Sequence, residues 1–163
     1  SEINEFLKAF GVTNGWNQLK IISDSVGGGI PDLAEAFRLA SQRRHSSAHS
    51  ASFNYSYSWL INLKSEILSI ASSIDIVISC RCRQAVRKPL IKLEDNNLVD
   101  DLNYRFLESN GIIFKETTSI GGRSLKNWTD LDSAFLHHSA KILSKKEFLI
   151  VLNPSRRIMD WLT

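Results

Sequence analysis

A run of seven residues carries two arginines and two histidines, Arg43-Arg44-His45-Ser46-Ser47-Ala48-His49. Histidine has an ordinary pKa of about 6.5, so it can act as a general base and then as a general acid. Arginine remains charged and offers a planar fork of N–H donors that matches phosphate oxygens. These residue types suit RNA cleavage without a metal ion, in which a base deprotonates the attacking 2′-hydroxyl and cations hold the developing charge. The same run also suits a second interpretation, a positively charged and solvated helix end.

The spacing of this run predicts how its side chains are arranged on a helix. His45 and His49 are four residues apart and share a face, whereas Arg44 lies about 140° from His49. A histidine pair is half of a metal site, but no Cys or carboxylate cluster lies close in sequence, so we predict no metal and no other cofactor. The apolar stripe that begins at Leu33 and Phe37 continues into Arg44, so we expect Arg44 on the packed side, facing an anion.

At these residues the chain resembles the HEPN domains (higher eukaryotes and prokaryotes nucleotide-binding). The segment from Arg44 to His49 fits their R-x(4–6)-H motif, in which a polar residue usually follows the arginine. The RRHSSAH run, the helical pattern before it and the small residues after it are similar to the RiboL-PSP-HEPN-like subgroup. The resemblance covers about residues 1–90.

The resemblance implies a helical bundle that forms a homodimer, with two motifs facing each other across a cleft. It implies His49 as the proton-transfer residue, Arg44 as the phosphate contact and His45 as the polar residue that tunes both. Arg43 lies outside the strict motif, and we assign it to RNA binding. Many HEPN domains are metal-independent ribonucleases of toxin–antitoxin or anti-phage systems, where an antitoxin or defence protein is a partner. Others have lost catalysis and only bind nucleotides or proteins.

Two further segments are candidates for RNA contact. Residues 53–59 alternate aromatic and polar side chains, and Tyr55 and Tyr57 suit base stacking; the alternative is that these aromatics pack the segment onto the bundle. Arg81 and Arg83 belong to a basic run that suits phosphate contacts, and the alternative there is a charged helix end before a proline stop.

Composition bounds the class of protein. With 163 residues and 43% hydrophobic content the chain can bury a core, and a net charge of only +3 means that any nucleic-acid contact must come from local patches. Cys80 and Cys82 are too close in sequence for a mutual disulfide, which favours a cytoplasmic location. Serines and Asp75 interrupt the most apolar stretch, residues 67–79, so we expect a core helix and no membrane contact.

Helices must position the motif. Apolar spacing predicts three helices up to and including the motif, and a long fourth helix whose stripe runs from Leu60 to Val77. Gly27-Gly28-Gly29 lacks the Lys and Ser/Thr of a phosphate loop, so we interpret it as a hinge or loop. We predict a HEPN-like helical domain at residues 1–93. Because such bundles usually have further helices ahead of the motif, we expect this domain to be truncated at its N-terminal side.

The periodicity changes after an acidic segment, residues 94–101, where we place a domain boundary. Alternating apolar residues on both sides of Asn110-Gly111 predict a β-hairpin, because this dipeptide is the strongest short hairpin signal. We predict that a helix capped by Thr129 follows this hairpin. His138 falls on the apolar face of that helix, where we expect a core histidine. Two more strands complete a ββαββ unit, one helix on a small antiparallel sheet, at residues 102–163.

The predicted fold class is therefore α+β, an N-terminal all-α HEPN-like bundle followed by a small ββαββ accessory domain. The predicted function is a metal-independent endoribonuclease of a toxin or anti-phage defence type. The alternative is a non-catalytic HEPN module that binds a nucleotide or a protein within a larger assembly. Replacement of His49 by alanine discriminates between them, because only the enzyme requires that imidazole.

Overall fold

The computed structural model describes residues 2–50, 54, 56–87, 102–145 and 147–163. These residues form five helices and one five-stranded mixed sheet, with four described helices preceding the first described strand. The elements are α1 Glu2–Ala9, α2 Gly15–Ser25, α3 Leu33–His49, α4 Tyr57–Arg87, β1 Asn103–Ser109, β2 Phe114–Thr117, β3 Lys126–Trp128, α5 Leu131–Lys145, β4 Glu147–Leu152 and β5 Ile158–Leu162.

The sheet has the strand order β3-β2-β1-β4-β5. The predicted hairpin is confirmed: β1 and β2 are antiparallel, and Gly111 in the turn between them has a φ of 94°. Oδ1 of Asn110 accepts hydrogen bonds from the backbone N–H groups of Ile112 and Ile113. The β4–β5 hairpin was also predicted, and it turns at Asn153, whose Oδ1 accepts from two backbone N–H groups of the turn.

Two features of the sheet differ from the prediction. The three-residue strand β3 was not foreseen; it pairs with β2 at the edge of the sheet. The predicted wholly antiparallel sheet is wrong for its central pair, because β1 and β4 run parallel, with Phe106 opposite Ile150. The crossover through α5 brings the chain back to the end of the sheet where β1 begins, so β4 starts in the same direction as β1. In addition, Asp130 caps α5 in place of Thr129, through a 2.7 Å bond from the Ser133 N–H to Oδ1.

The elements form three layers, with α1–α4 on one face of the sheet and α5 on the other. Strand β4 is buried on both faces, which explains its uninterrupted apolar sequence. Phe148, Ile150 and Leu152 belong to the cluster that contains the buried residues of α1–α4, whereas Leu149 and Val151 belong to the cluster beneath α5.

The longest described helix, α4, joins the helical half of the chain to the sheet. Ile76 and Val77 belong to the same buried cluster as the sheet residues, and Nε1 of Trp161 on β5 donates a 2.8 Å hydrogen bond to Oδ2 of Asp75. The two halves therefore share one core. The predicted boundary at residues 94–101 lies outside the described residues, and the domain division and the HEPN-like bundle stay predictions. Within the described ranges, no helix is long and apolar enough to cross a membrane.

The triple glycine forms the turn between α2 and α3. Gly27 has a φ of 85°, which favours glycine, and the Gly28 N–H donates to the Ser23 carbonyl at 2.7 Å. A Cβ on Gly28 would lie 2.1 Å from Oγ of Ser23, so a side chain does not fit there. These glycines end α2 and direct the chain toward α3, which begins where Oδ1 of Asp32 accepts from the Glu35 N–H.

Candidate functional site

The motif occupies the last two turns of α3, which is helical through His49. The predicted shared face of the histidines is confirmed: the ring centres of His45 and His49 are 4.5 Å apart, with the rings tilted by 55°. The serines between them bond to the helix backbone, since Oγ of Ser46 donates to the Gln42 carbonyl and Oγ of Ser47 to the Arg44 carbonyl. The two imidazoles thus form one exposed pair at the end of the helix.

The expectation that Arg44 lies on the packed side of α3 is wrong. Arg44 is exposed, and it is Arg43 that is half-buried, with its guanidinium carbon 4.8 Å from the centre of the Trp59 ring. The apolar stripe does not predict the packed side because the only buried residue of α3 is Leu33, and already at Phe37 the side chain is 38% exposed. In the described part of the chain no core covers the second half of the helix, so apolar spacing does not determine which face points inward there.

The second half of α3 and the first half of α4 together form what we call the helical arm, residues 41–49 and 57–68. No residue of the arm is fully buried, and the first buried residues of α4 are Ser69 and Ile70. The predicted stripe of α4 is therefore core only in its second part, since Leu60 and Ile67 are both 49% exposed. The arm holds the motif outside the shared core.

The arm is also positively charged. Between Glu35 and Glu66 the chain contains no Asp or Glu, although it has 17 acidic residues in all. The same stretch contains four cationic residues, Arg38, Arg43, Arg44 and Lys64. Local charge of this kind attracts phosphate even where the net charge of the chain is small. Counting acidic residues along the chain is the signal by which the sequence could have revealed this surface.

The other predicted RNA contacts lie in different surroundings. Tyr57 is the first residue of α4 and is 78% exposed, whereas Tyr55 lies outside the described residues. Arg81 is only 4% exposed, and its Nη2 donates to the Gly11 carbonyl at 3.3 Å, so it links α4 to the turn after α1. The guanidinium of Arg83 lies 4.3 Å from the centre of the Phe148 ring. Both arginines thus join α4 to the rest of the core, and the arrangement does not favour phosphate contact.

A second polar cluster lies between the sheet and α5, and sequence reasoning missed it. Arg105 Nη2 donates to Oε1 of Glu147 at 2.8 Å, and Nε1 of Trp128 donates to Oε2 of Glu116 at 2.9 Å. His138, 3% exposed, has its Nε2 3.4 Å from the same Glu116 oxygen. These residues come from four strands and one helix, so only the sheet topology brings them together.

Burial determines the electrostatics of this cluster. Burial lowers the pKa of His138 below its ordinary value, despite the nearby Glu116 carboxylate. Burial alone would raise the pKa of Glu116, but the hydrogen bond from Trp128 and the charges of His138 and Arg105 outweigh it, and this pKa is lowered. Because the cluster is almost closed to solvent, we interpret it as a link between α5 and the sheet. Among the described residues no group of three or more His, Cys, Asp or Glu side chains is arranged to hold a metal ion.

An open groove of about 880 Å³ lies beside the arm. Its lining comes from the α4 segment from Tyr57 to Leu68, from residues 29–31 and from the β4–β5 hairpin. Lys64 of α4 and Arg157 of the hairpin both belong to this lining. The groove therefore connects the arm with the sheet half of the chain.

Comparison of the chain with protein-family models, with curated proteins and with solved structures found no match.

Proposed function

We propose that the protein is a metal-independent endoribonuclease of a toxin or anti-phage defence type. The observation that carries this proposal is the exposed pair of imidazoles, His45 and His49, on an arm that has no acidic residue between Glu35 and Glu66. Imidazole supplies proton transfer near neutral pH, and the cationic side chains of this stretch supply attraction for RNA. The resemblance of the motif to HEPN domains supports the same assignment.

In the proposed reaction His49 removes the proton of an RNA 2′-hydroxyl, whose oxygen then attacks the adjacent phosphorus. The bond from phosphorus to the 5′-oxygen breaks, and that oxygen receives a proton from a protonated imidazole that a second copy of the chain presents on the other side of phosphorus. The products are a 2′,3′-cyclic phosphate and a 5′-hydroxyl. Arg44 contacts the non-bridging phosphate oxygens, where charge develops, and His45 tunes the neighbouring imidazole. The residues present suffice for this chemistry, and no cofactor takes part.

The geometry favours a homodimer as the active form. The attacking and leaving oxygens of a phosphoryl transfer lie roughly in line, on opposite sides of phosphorus. His45 and His49 are only 4.5 Å apart between ring centres, so a phosphate does not fit between them, and one chain presents both imidazoles from one side. We infer that a second copy presents its motif from the other side, with the two arms pairing along their α3 surfaces. Such an enzyme acts in the cytoplasm, consistent with Cys80 and Cys82, which form no disulfide.

The second candidate is a module that binds RNA, a nucleotide or a partner protein without cleaving. The stretch between Glu35 and Glu66, which has no acidic residue, favours it, because the attraction of phosphate to Arg43, Arg44 and Lys64 needs no proton transfer. The two candidates differ in the role of His49, which is essential only to the enzyme.

The deciding experiment incubates purified protein with total RNA in excess EDTA, in parallel with His49→Ala. His137→Ala is the matched control, since it removes a histidine outside the arm, beside Trp128. We expect cleavage by the wild type and by the control, with 2′,3′-cyclic phosphate ends, and none by His49→Ala. Equal cleavage by His49→Ala, or 3′-hydroxyl products, contradicts the proposed mechanism. RNA binding without cleavage by any variant supports the binding module.

A further inference from the structure

We propose that the groove between α4 and the β4–β5 hairpin binds a single RNA strand, which makes the sheet half of the chain part of the RNA-binding surface. In this arrangement Lys64 of α4 and Arg157 of the hairpin contact phosphates, and Tyr57 stacks on a base. The proposal rests on the proposed function only in that the ligand is RNA. It adds a binding site that extends away from the motif.

The charges of the groove fit a polyanion. Lys64 is exposed, and Arg157 is exposed and held by a 3.0 Å hydrogen bond from its Nη1 to the Gly28 carbonyl. Neither side chain forms an ion pair with a carboxylate within the described part of the chain. Among the described residues that line the groove, Glu66 is the single acidic one. Arg157 therefore keeps most of its N–H donors for phosphate oxygens, in an orientation that the glycine turn already sets.

A second arginine extends this basic surface beyond the groove. Arg156 has a φ of 58°, a left-handed conformation that is rare for a long side chain. Its guanidinium lies over Gly121, with Nη2 3.3 Å from where a Cβ on that glycine would be. Adjacent arginines on this hairpin thus both take their orientation from neighbouring backbone and remain exposed. Arg156 therefore adds a second exposed guanidinium, on the same hairpin as Arg157, to the surface that can contact phosphates.

The groove also offers the apolar surface that bases require. Tyr57 is 78% exposed at the start of α4, and Leu60 and Ile61 follow on the groove wall. The wall from Tyr57 to Leu68 spans about 16 Å at 1.5 Å per residue. Single-stranded RNA is bound through aromatic stacking combined with a basic wall, and the combination of Tyr57 with Lys64 and Arg157 has both components.

The groove and the motif face different sides of the arm. Trp59, which contacts Arg43 of α3, is two residues after Tyr57 and therefore about 200° around the axis of α4. Two copies that pair along their α3 surfaces would leave this groove open. An RNA strand cleaved at the motif can then pass around the start of α4 and enter the groove at Tyr57.

The test is fluorescence anisotropy with a labelled single-stranded RNA dodecamer, on the full chain carrying His49→Ala so that the probe stays intact. We expect the double variant Lys64→Ala/Arg157→Ala to raise the Kd about tenfold or more and to make the dependence of log Kd on log salt shallower by about two. Lys115→Ala removes an exposed lysine from β2 and is the matched control, with no change expected. Tyr57→Ala should weaken binding severalfold, whereas Tyr57→Phe should restore it.

Unchanged affinity and an unchanged salt slope in the double variant overturn the groove proposal. Loss of a wild-type dimer in that variant also overturns it, because the groove is then an interface between copies. The readout is independent of catalysis. If no variant cleaves RNA but binding depends on Lys64 and Arg157, the groove proposal stands and the enzymatic proposal fails. If the wild type cleaves RNA and the double variant binds as tightly as its parent, the enzymatic proposal stands and the groove proposal fails.

Discussion

The guanidinium of Arg43 lies over the indole of Trp59 at 4.8 Å and joins α3 to α4 within the arm. Because no residue of the arm is fully buried, this cation–π contact is a main restraint on the helix end that carries the histidines. We expect Trp59→Ala to cost roughly 1–2 kcal/mol of arm stability. Hydrogen exchange at residues 41–49 should accelerate while exchange in β4 stays unchanged, and Trp59→Phe should recover part of the protection. Equal exchange rates at residues 41–49 in wild type and Trp59→Ala would show that this contact does not restrain the arm.

Arg44 of the motif and Arg43, which directly precedes the motif, should respond differently to the same substitution. Arg44→Lys keeps the charge but removes the planar fork, so we expect the cleavage rate to fall about 10- to 100-fold. In Arg43→Lys the cleavage rate should fall much less, because a lysine ammonium can also lie over Trp59. Single-turnover cleavage of an RNA oligonucleotide measures both. Unchanged cleavage by Arg44→Lys rules out its proposed bidentate contact with phosphate.

If the active site is composite, activity per chain should depend on concentration. We expect the specific activity to fall on dilution through the dimer dissociation constant, with the same midpoint as the transition from dimer to monomer. Sedimentation velocity gives the association state, and a fluorogenic RNA substrate gives the rate at each concentration. A chain that remains fully active as a monomer would refute the composite site.

The pH dependence of stability follows from the cluster beneath α5. In the unfolded chain His138 takes up a proton as the pH falls below its ordinary pKa of 6.5, whereas burial holds its folded pKa lower. The free energy of unfolding should therefore fall as the pH falls below 6.5. The lowered pKa of Glu116 adds a further loss below 4.5, its ordinary value, because the folded state resists protonation there too.

Urea unfolding at a series of pH values between 7.5 and 4.5 measures this dependence. In His138→Gln the decline between pH 6.5 and 5 should become shallower, because no imidazole remains to take up the proton. His45→Gln, at an exposed position of the arm, is the matched control. If the free energy of unfolding falls equally with pH in wild type and His138→Gln, His138 is not the source of this pH dependence.

The bond between Asp75 and Trp161 connects the helical half to the sheet. Oδ2 of Asp75 accepts from Nε1 of Trp161 at 2.8 Å and from Oγ1 of Thr163 at 3.2 Å. We expect Asp75→Ala to lower the free energy of unfolding by about 1–3 kcal/mol, since it leaves a half-buried indole N–H without its acceptor. Asp132→Ala on exposed α5 surface should change it by less than about 0.5 kcal/mol.

Because the halves share a core, helix and sheet probes should report a single unfolding transition in wild type and variants alike. Far-ultraviolet circular dichroism follows the helices, and hydrogen exchange in β4 follows the sheet. Two separated transitions would show instead that residues 1–93 and 102–163 fold independently, as the sequence-based domain division predicted.

Local sequence patterns predicted most elements of the fold, and the features that they missed depend on pairing between segments distant in sequence. Asn110-Gly111 determines its hairpin with its own side chain and backbone, so it could be recognised without knowing the rest of the structure. Strand β3 has only three residues, and its conformation depends on pairing with β2, which no local pattern records. The parallel pairing of β1 with β4 likewise depends on the path of the chain through α5.

The candidate site shows the same limit. The pairing of His45 with His49 follows from helical spacing alone, whereas the exposure of Arg44 reflects the lack of a covering element among the described residues around the arm. The separation of 22 residues between Glu116 and His138 carries no sequence signal, so their contact could not be predicted. The groove is formed by residues 29–31, α4 and the β4–β5 hairpin, which only the tertiary fold brings together. The ribonuclease assignment stays a prediction.

The parallel pair at the centre of the sheet also constrains the order of folding. Phe106 and Ile150 are neighbours in the sheet but 44 positions apart in the chain, and the apolar face of α1–α4 rests on β4. As the polypeptide leaves the ribosome, these helices emerge first and expose that face until β4 has been translated. Pairing between distant segments is slow, so the apolar face stays uncovered during this interval. We therefore expect a chain interrupted before β4 to aggregate.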